Sequence, residues 1–342
     1  MNQKRIVVLG SNFAGFTAAI ELRRALGDRH RVTVISKSHE FLFSPWLVLL
    51  AFGKRTRAQL TFSIRAPLAK HGIRFREEEV IRLDLERRRV LTRSGEERYD
   101  YLVIATGPKA NYAAVPGLGP RGYTQSIVSI ADAERAGVAF KQFLKAPGPV
   151  IVGEAPGASG FGASLDFLSH TAAQLAHHGL EVPLIWLTPA ADPVADQICG
   201  VEAVIGAVIQ RVAPEELTLA DHRKLPFAYA MIIPPVLGVD VVRACESITN
   251  ASGFVIVNDS LQCARYPEVF AAGVAAALDP PIPNSGQLAE AMGKLVAQNI
   301  AARLEGRAMA SLSRSVADGT RGDETRWAEL AVERYFSAAP GA

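Results

Sequence analysis

Residues 7–19, VVLGSNFAGFTAA, place Gly10 and Gly15 behind an apolar run and ahead of a helical pattern, with Asn12 between them. Glycines in this arrangement serve a dinucleotide. The first allows a tight bend, the middle one lets the backbone approach a pyrophosphate, and the last lets helix and strand pack closely. Asn12 stands at the middle place. Asparagine tolerates a left-handed backbone better than most residues, so the turn is expected to survive with a tighter approach. The helix start behind it offers N–H groups and a positive dipole end to a phosphate. Where an acid usually takes the ribose hydroxyls, at the end of the second strand, stand Ser36, Lys37 and Ser38. Hydroxyls do that work more weakly, and Lys37 is expected to face solvent.

Other reactive side chains give weaker signals. A second turn, GEAPGASG (153–160), lacks the glycine order and carries Glu154 and Pro156, and its following strand ends in Leu187–Thr188 without an acid. Glu154 would repel phosphates, which disfavours a pyridine nucleotide there. Asp166 and Glu154 flank this turn as an acid–base pair or as carboxylates favoured by a helix start. His170, His177 and His178 lie about two turns apart on one helix, too far for a single metal, and are expected to face solvent or the helix end. Cys199, Cys245 and Cys263 are widely spaced without CxxC, which fits neither a disulfide framework nor a zinc site.

These groups need a scaffold. The 342 residues are 49% hydrophobic and 21% charged, a globular composition long enough for two domains. A net charge of +3, spread without interleaved aromatics, argues against a nucleic-acid surface. The start shows no signal-peptide pattern, and the apolar stretches 46–52 and 227–237 fall short of the roughly 20 residues that span a bilayer, so a cytoplasmic protein is expected. RIVVL (5–9), a helix ending at Gly27 and RVTVIS (31–36) make a first βαβ unit. Residues 73–98 read as a small antiparallel meander, with Arg87–Arg89 on a solvated edge, and YDYLVIATG returns a strand to the first sheet. A helix over 130–145, the strand PVIVG (149–153), a helix in 164–179 and VPLIWLT (182–188) make a second unit. A short hairpin, an apolar strand and a helix over 285–304 follow.

YDYLVIATGPK (99–109) and YPEVFAAGVAAAL (266–278), with GASGFGASLDF, MIIPPVLGV and GFVIVND between them, make the chain resemble two-dinucleotide-fold flavoproteins. Within these it is similar to the sulfide:quinone oxidoreductase group, which includes the flavocytochrome c sulfide dehydrogenase flavoprotein and is related to type II NADH dehydrogenases. The resemblance covers most of residues 4–336. It implies an α/β fold with two Rossmann-like dinucleotide-binding domains, each a parallel sheet with helices and a small antiparallel meander, and FAD as cofactor. Gly10, Ser11, Asn12, Phe13, Ala14 and Gly15 would cradle the pyrophosphate, with Ser36 and Lys37 near the adenosine ribose. Ser44 and Pro45 would border the mouth of the flavin site, and Val80 would meet the adenine by its backbone. Ala105, Thr106, Gly107 and Lys109 would lie beside the cofactor, and Gly273 and Val274 would approach the ribityl chain and ring. Lys109 is the one candidate for a charge that stabilises reduced flavin. Phe41, Phe43 and Trp46 would roof the flavin or simply fill a core.

The resemblance also exposes a gap. Sulfide chemistry in this group runs through cysteines beside the flavin, and the matching positions hold Val128, Gly160 and a residue near Arg314. The C-terminal RWAELAVERYFSAAPGA gives at most one helical face, with Trp327, Leu330 and Tyr335, for a core or an oligomer contact rather than a bilayer. The expected layout is 1–110 as the first part of an FAD domain, 111–250 as a second nucleotide fold, 251–305 as the return of the FAD domain and 306–342 as a short tail. The expected function is an FAD-dependent oxidoreductase without the cysteine chemistry. Its donor and acceptor are open, and its partner is a small molecule or a redox protein, with a homo-oligomer allowed. The alternatives are an NAD(P)H:acceptor reductase passing electrons to a quinone or ferredoxin, and a non-catalytic subunit that binds a redox partner.

Overall fold

A computed structural model describes residues 2–158, 161–190, 200–279 and 285–312. Its principal elements are β1 (Arg5–Leu9), α1 (Phe13–Leu26), β2 (Arg31–Ser36), β3 (Glu40–Leu42), β4 (Thr61–Ser63), β5 (Arg74–Glu77), β6 (Tyr101–Ile104), α2 (Ile130–Phe143), β7 (Val150–Glu154), α3 (Phe161–His177), β8 (Leu184–Thr188), β9 (Tyr229–Ile233), β10 (Val269–Ala271) and α4 (Gly286–Leu304). They fall into two compact units. One is drawn from Met1–Leu42, Thr61–Lys109 and Leu237–Ala342, the other from Phe43–Leu60 and Ala110–Val236.

The first unit holds a five-stranded parallel sheet in the order β10, β6, β1, β2, β5. β1 is central, and Ile6, Val7, Val8 and Leu9 are fully buried, which explains an unbroken apolar run rather than an alternating one. β5 corrects the sequence reading. Residues 74–77 do not open the meander but extend the parallel sheet, with Thr33 opposite Arg74 and Ser36 opposite Glu77. The helix Arg65–Lys70 precedes β5, and a helical crossover returns a strand in the same direction. The antiparallel meander is confined to Val80–Asp84, Arg89–Thr92 and Gly95–Arg98. At its turn the arginine run is ion-paired rather than merely solvated: Arg89 meets Asp84 at 2.9 Å and Arg88 meets Glu268 at 2.7 Å.

α4 packs along α1, and Ser285 starts it by accepting the Leu288 N–H at 3.0 Å. The two helices approach closely at Gly293, where a Cβ would lie 2.5 Å from the Ala14 carbonyl oxygen.

The second unit has a four-stranded parallel sheet in the order Glu202–Ile205, β8, β7, β9. Phe43–Leu60, which the sequence reading left with the first part of the FAD domain, belongs to this unit. Its Phe52 ring lies 5.2 Å from Phe140 and 4.8 Å from Phe167, and Gly137 leaves room for the Ala51 carbonyl. Residues 237–250 move the other way, because Val242 and Ile248 join the apolar cluster around Val7, Leu9 and Ile104 in the first unit. Among the described residues, no helix is long and apolar enough to cross a membrane.

Two glycines in helices test this packing with opposite signs. Gly293→Ala places a methyl against backbone and is expected to lower stability by about 1–3 kcal/mol in urea unfolding. Gly162→Ala, with nothing within 4 Å of the added atom, is expected to be neutral or to stabilise by up to about 1 kcal/mol.

Candidate cofactor site

Three segments leave the carboxyl edge of the first sheet side by side: Gly10–Asn12 after β1, Ala105–Gly107 after β6 and Ala272–Gly273 after β10. They are fastened by backbone hydrogen bonds. Gly10 N donates to Ile35 O at 2.9 Å, Ala105 N to Leu9 O at 2.9 Å and Ala272 N to Ile104 O at 3.0 Å. α1 carries the chain from β1 to β2 while β6 lies on β1's other side, so this edge is a topological switch point, where open α/β sheets bind ligands.

Gly10 has φ +97, and a Cβ on it would lie 2.2 Å from the Ala105 carbonyl oxygen; one on Gly15 would lie 2.2 Å from the Gly10 carbonyl oxygen. Gly273, at φ +64, would bring a Cβ to 3.2 Å from the Ala14 Cβ. Only residues without side chains allow the backbones to come this close. Phe13 and Ala14 open α1 as buried residues on the same turn, while Val274, half-buried, follows Gly273 in the turn Gly273–Ala275.

Asn12 departs from expectation. At φ −88 and ψ −165 it is extended, so no left-handed conformation is needed. It is the N-cap of α1, yet its side chain makes no cap bond to the helix, and the first intrahelical bond is Phe16 N to Asn12 O at 2.8 Å. Its Oδ1 instead accepts the Leu42 N–H of β3 at 3.0 Å.

At the end of β2 the Ser11 hydroxyl donates to the Ser36 hydroxyl at 2.9 Å, tying the turn to the second strand. Lys37 faces solvent as expected, and there it is ion-paired. Its Nζ meets Glu79 Oε1 at 2.7 Å, and Glu79 also binds Arg93; these cations hold its carboxyl below the usual range. The acids missing from the end of β2 thus come from its neighbour: Glu77 lies opposite Ser36 and pairs with His39 and Arg65, and Glu79 pairs with Lys37. The signal was the run EEE at 77–79, which becomes informative only once β5 is placed beside β2. Val80 opens the meander, half-buried against the apolar cluster.

Beside the β1 turn, Thr106 Oγ1 is buried without a hydrogen-bond partner among the described residues. Gly107 follows at φ +68 with open space around it. Lys109 is not a bare charge: its Nζ meets Asp240 Oδ2 at 2.8 Å on the surface. Ser44 and Pro45 lie in the turn Ser44–Trp46, which belongs to the second unit, whereas the other candidates belong to the first. Phe41 is buried 4.8 Å from Phe13 in the first unit, and Phe43 and Trp46 lie 4.7 Å apart with tilted rings in the second, which makes core packing a sufficient role for each.

A family model for pyridine nucleotide-disulphide oxidoreductases matches residues 4–293. The chain belongs to that family. It is 28% identical over 333 residues to a sulfide-quinone reductase from Aquifex aeolicus, covering 87% of this chain and 76% of that one. The solved sulfide:quinone oxidoreductase from the same bacterium superposes with a TM-score of 0.82 at 28% identity, over 89% of this chain and 77% of that one. A type II NADH:quinone oxidoreductase from Staphylococcus haemolyticus is 26% identical over 135 residues, which cover 39% of this chain and only 33% of that protein.

The family's members are flavoproteins with FAD, and the first unit fits that group. A glycine-lined turn meets the amino end of a 14-residue helix that has no side-chain cap, and an unpartnered buried hydroxyl stands alongside.

Among the described residues, the cysteines form no disulfide. Cys245 and Cys263 are free and pack in or against the apolar cluster of the first unit, where burial pushes the Cys245 thiol up. Val128 is half-buried; Gly160, Arg314, Cys199 and the C-terminal helical face lie outside the described residues. In the second unit Asp166 and Glu154 do not form a pair. Asp166 meets His170 at 3.3 Å, and His170 stacks on Phe52 instead of facing solvent, unlike the exposed His177 and His178.

Glu154 ends the central strand β7, only 4% exposed, and Thr188 Oγ1 at 3.4 Å is its hydrogen-bond partner. Burial pushes its carboxyl up to about 7. The folded state therefore binds a proton that the unfolded chain has already released between about pH 4.5 and 7. Stability is unaffected below that window, falls as pH rises through it, and stays lowered above. Glu154→Gln keeps the shape and removes the titration. It is expected to stabilise the protein at pH 8, by at most about 3 kcal/mol, and to have little effect at pH 4.5; urea unfolding at the two pH values measures the difference.

Proposed function

We propose that the protein is an FAD-dependent oxidoreductase that moves electrons between a small donor and a quinone-class acceptor without a thiol of its own chain. The observation that carries this reading is the convergence of the turns after β1, β6 and β10 on one glycine-lined edge beside the amino end of α1. Flavin, when bound, supplies hydride or single-electron transfer, and the protein supplies position and electrostatics. Gly10, Ser11, Asn12, Phe13, Ala14 and Gly15 hold the pyrophosphate. The Ser36, Lys37 and Glu79 group would border the ribose, the Thr106 hydroxyl would donate a hydrogen bond to the cofactor, and Gly273 and Val274 would face the ribityl chain.

The quinone acceptor rests on the similarity to sulfide-quinone reductases and to type II NADH:quinone oxidoreductases. Sulfide oxidation through cysteines is disfavoured because Val128 and Gly160 occupy matching positions and the described thiols are packed in a core. NAD(P)H is disfavoured as donor because the second unit's turn, GEAPGASG, lacks the glycine order of the first, and its following strand ends in Leu187–Thr188 without an acid for a ribose.

Purified protein is expected to carry about one FAD per chain, to be bleached by dithionite under anaerobic conditions and reoxidised by a soluble quinone, and to stay oxidised with NADH or NADPH. Rapid bleaching by NADH would replace this reading with a pyridine-nucleotide reductase. Thr106→Val, which removes the unpartnered buried hydroxyl and keeps the side-chain shape, is expected to give folded protein, by circular dichroism, that takes up FAD about tenfold more weakly on reconstitution.

A further inference from the structure

Asn12 is the one residue of the turn that breaks the glycine pattern, and the structure gives its side chain a defined task at one end. Leu42 N–H is a donor, so the atom facing it at 3.0 Å must be the amide oxygen. β3 pairs with β4 along one side only, with Glu40 opposite Ser63 and Leu42 opposite Thr61, and Asn12 satisfies an amide on its other side. Fixing Oδ1 on Leu42 fixes the planar amide. Nδ2, with two N–H donors, is then held on the opposite edge, at an exposed residue that opens α1 and does not cap it. No partner for Nδ2 is present among the described residues.

We propose that Asn12 is a two-ended positioning residue: Oδ1 anchors β3 to the turn, and the oriented Nδ2 donates a charge-assisted hydrogen bond to the FAD pyrophosphate. A side-chain donor thereby replaces the close backbone approach that a glycine at this place provides. The inference rests on FAD being the ligand of this turn. It also makes the β3–β4 strand pair part of the cofactor site, because the segment that orients the amide is outside the glycine motif.

Two variants separate the two ends. Asn12→Ala removes both, and Asn12→Asp keeps an acceptor for Leu42 while replacing the donor with a charge that repels phosphate. Each is assayed for FAD affinity by reconstitution of the apoprotein and, without FAD, for hydrogen exchange in the peptide carrying residues 40–43. Asn12→Ala is expected to weaken FAD about tenfold to a hundredfold and to speed exchange at Leu42. Asn12→Asp is expected to retain slow exchange and to weaken FAD at least as much. FAD affinity within about twofold of wild type in Asn12→Ala, or equal Leu42 exchange in wild type and Asn12→Ala, would overturn the proposal. Failure of the wild-type protein to take up FAD would instead remove the cofactor reading and the donor half with it, while the exchange comparison still decides the anchor.

Discussion

The contact on which the first unit depends is between two backbones. As β1 ends, the chain passes so near the end of β6 that the space a side chain on Gly10 would need is filled by the Ala105 carbonyl oxygen, at 2.2 Å. That approach sets the start of α1 directly against the sheet edge, and Gly15 repeats the constraint one turn later against the Gly10 carbonyl. Gly273 and Gly293 bring the β10 turn and α4 against Ala14 on the same helix. These four glycines thus bring the β1, β6 and β10 turns and α4 close together around the start of α1 with little side-chain bulk between them. Such a surface suits a phosphate, which is met by N–H groups and a helix dipole instead of by lysines.

The two units share a strand–turn–helix plan, and their turns carry opposite chemistry. In the first, the residues at the strand end are small or neutral, and Lys37, just past the end of β2, is already matched by Glu79. In the second, β7 delivers Glu154 into the interior, with a neutral threonine hydroxyl for a partner, and burial favours its protonated form. The second turn also lacks the glycine order of the first. Duplication of a strand–turn–helix plan therefore does not imply two nucleotide sites.

Much of this was legible in the sequence because the signals were local. β1, α1, β2 and α4 follow from apolar runs and helical periodicity, and Gly10 and Gly15 follow from the geometry of one turn. What escaped depended on distant partners. β5 is short and rich in charge, so only the helix before it and β2 beside it reveal a parallel strand. Phe52 assigns its segment to the second unit through rings more than 80 residues away. Asn12 was the instructive miss: its residue type suggested a left-handed backbone, whereas its side chain is engaged by Leu42, 30 positions later, in a conformation open to any residue. The partner of Lys109 is illegible for the same reason, since Asp240 is its neighbour only in the folded chain.

A crystal structure of the protein grown with FAD tests the central claim most directly. The account predicts electron density for the two phosphates across the amino end of α1, between the turns that follow β1 and β6, with the ribityl chain running toward Gly273. Density for FAD elsewhere in the chain, or side chains filling that edge in crystals soaked with saturating FAD, would contradict it.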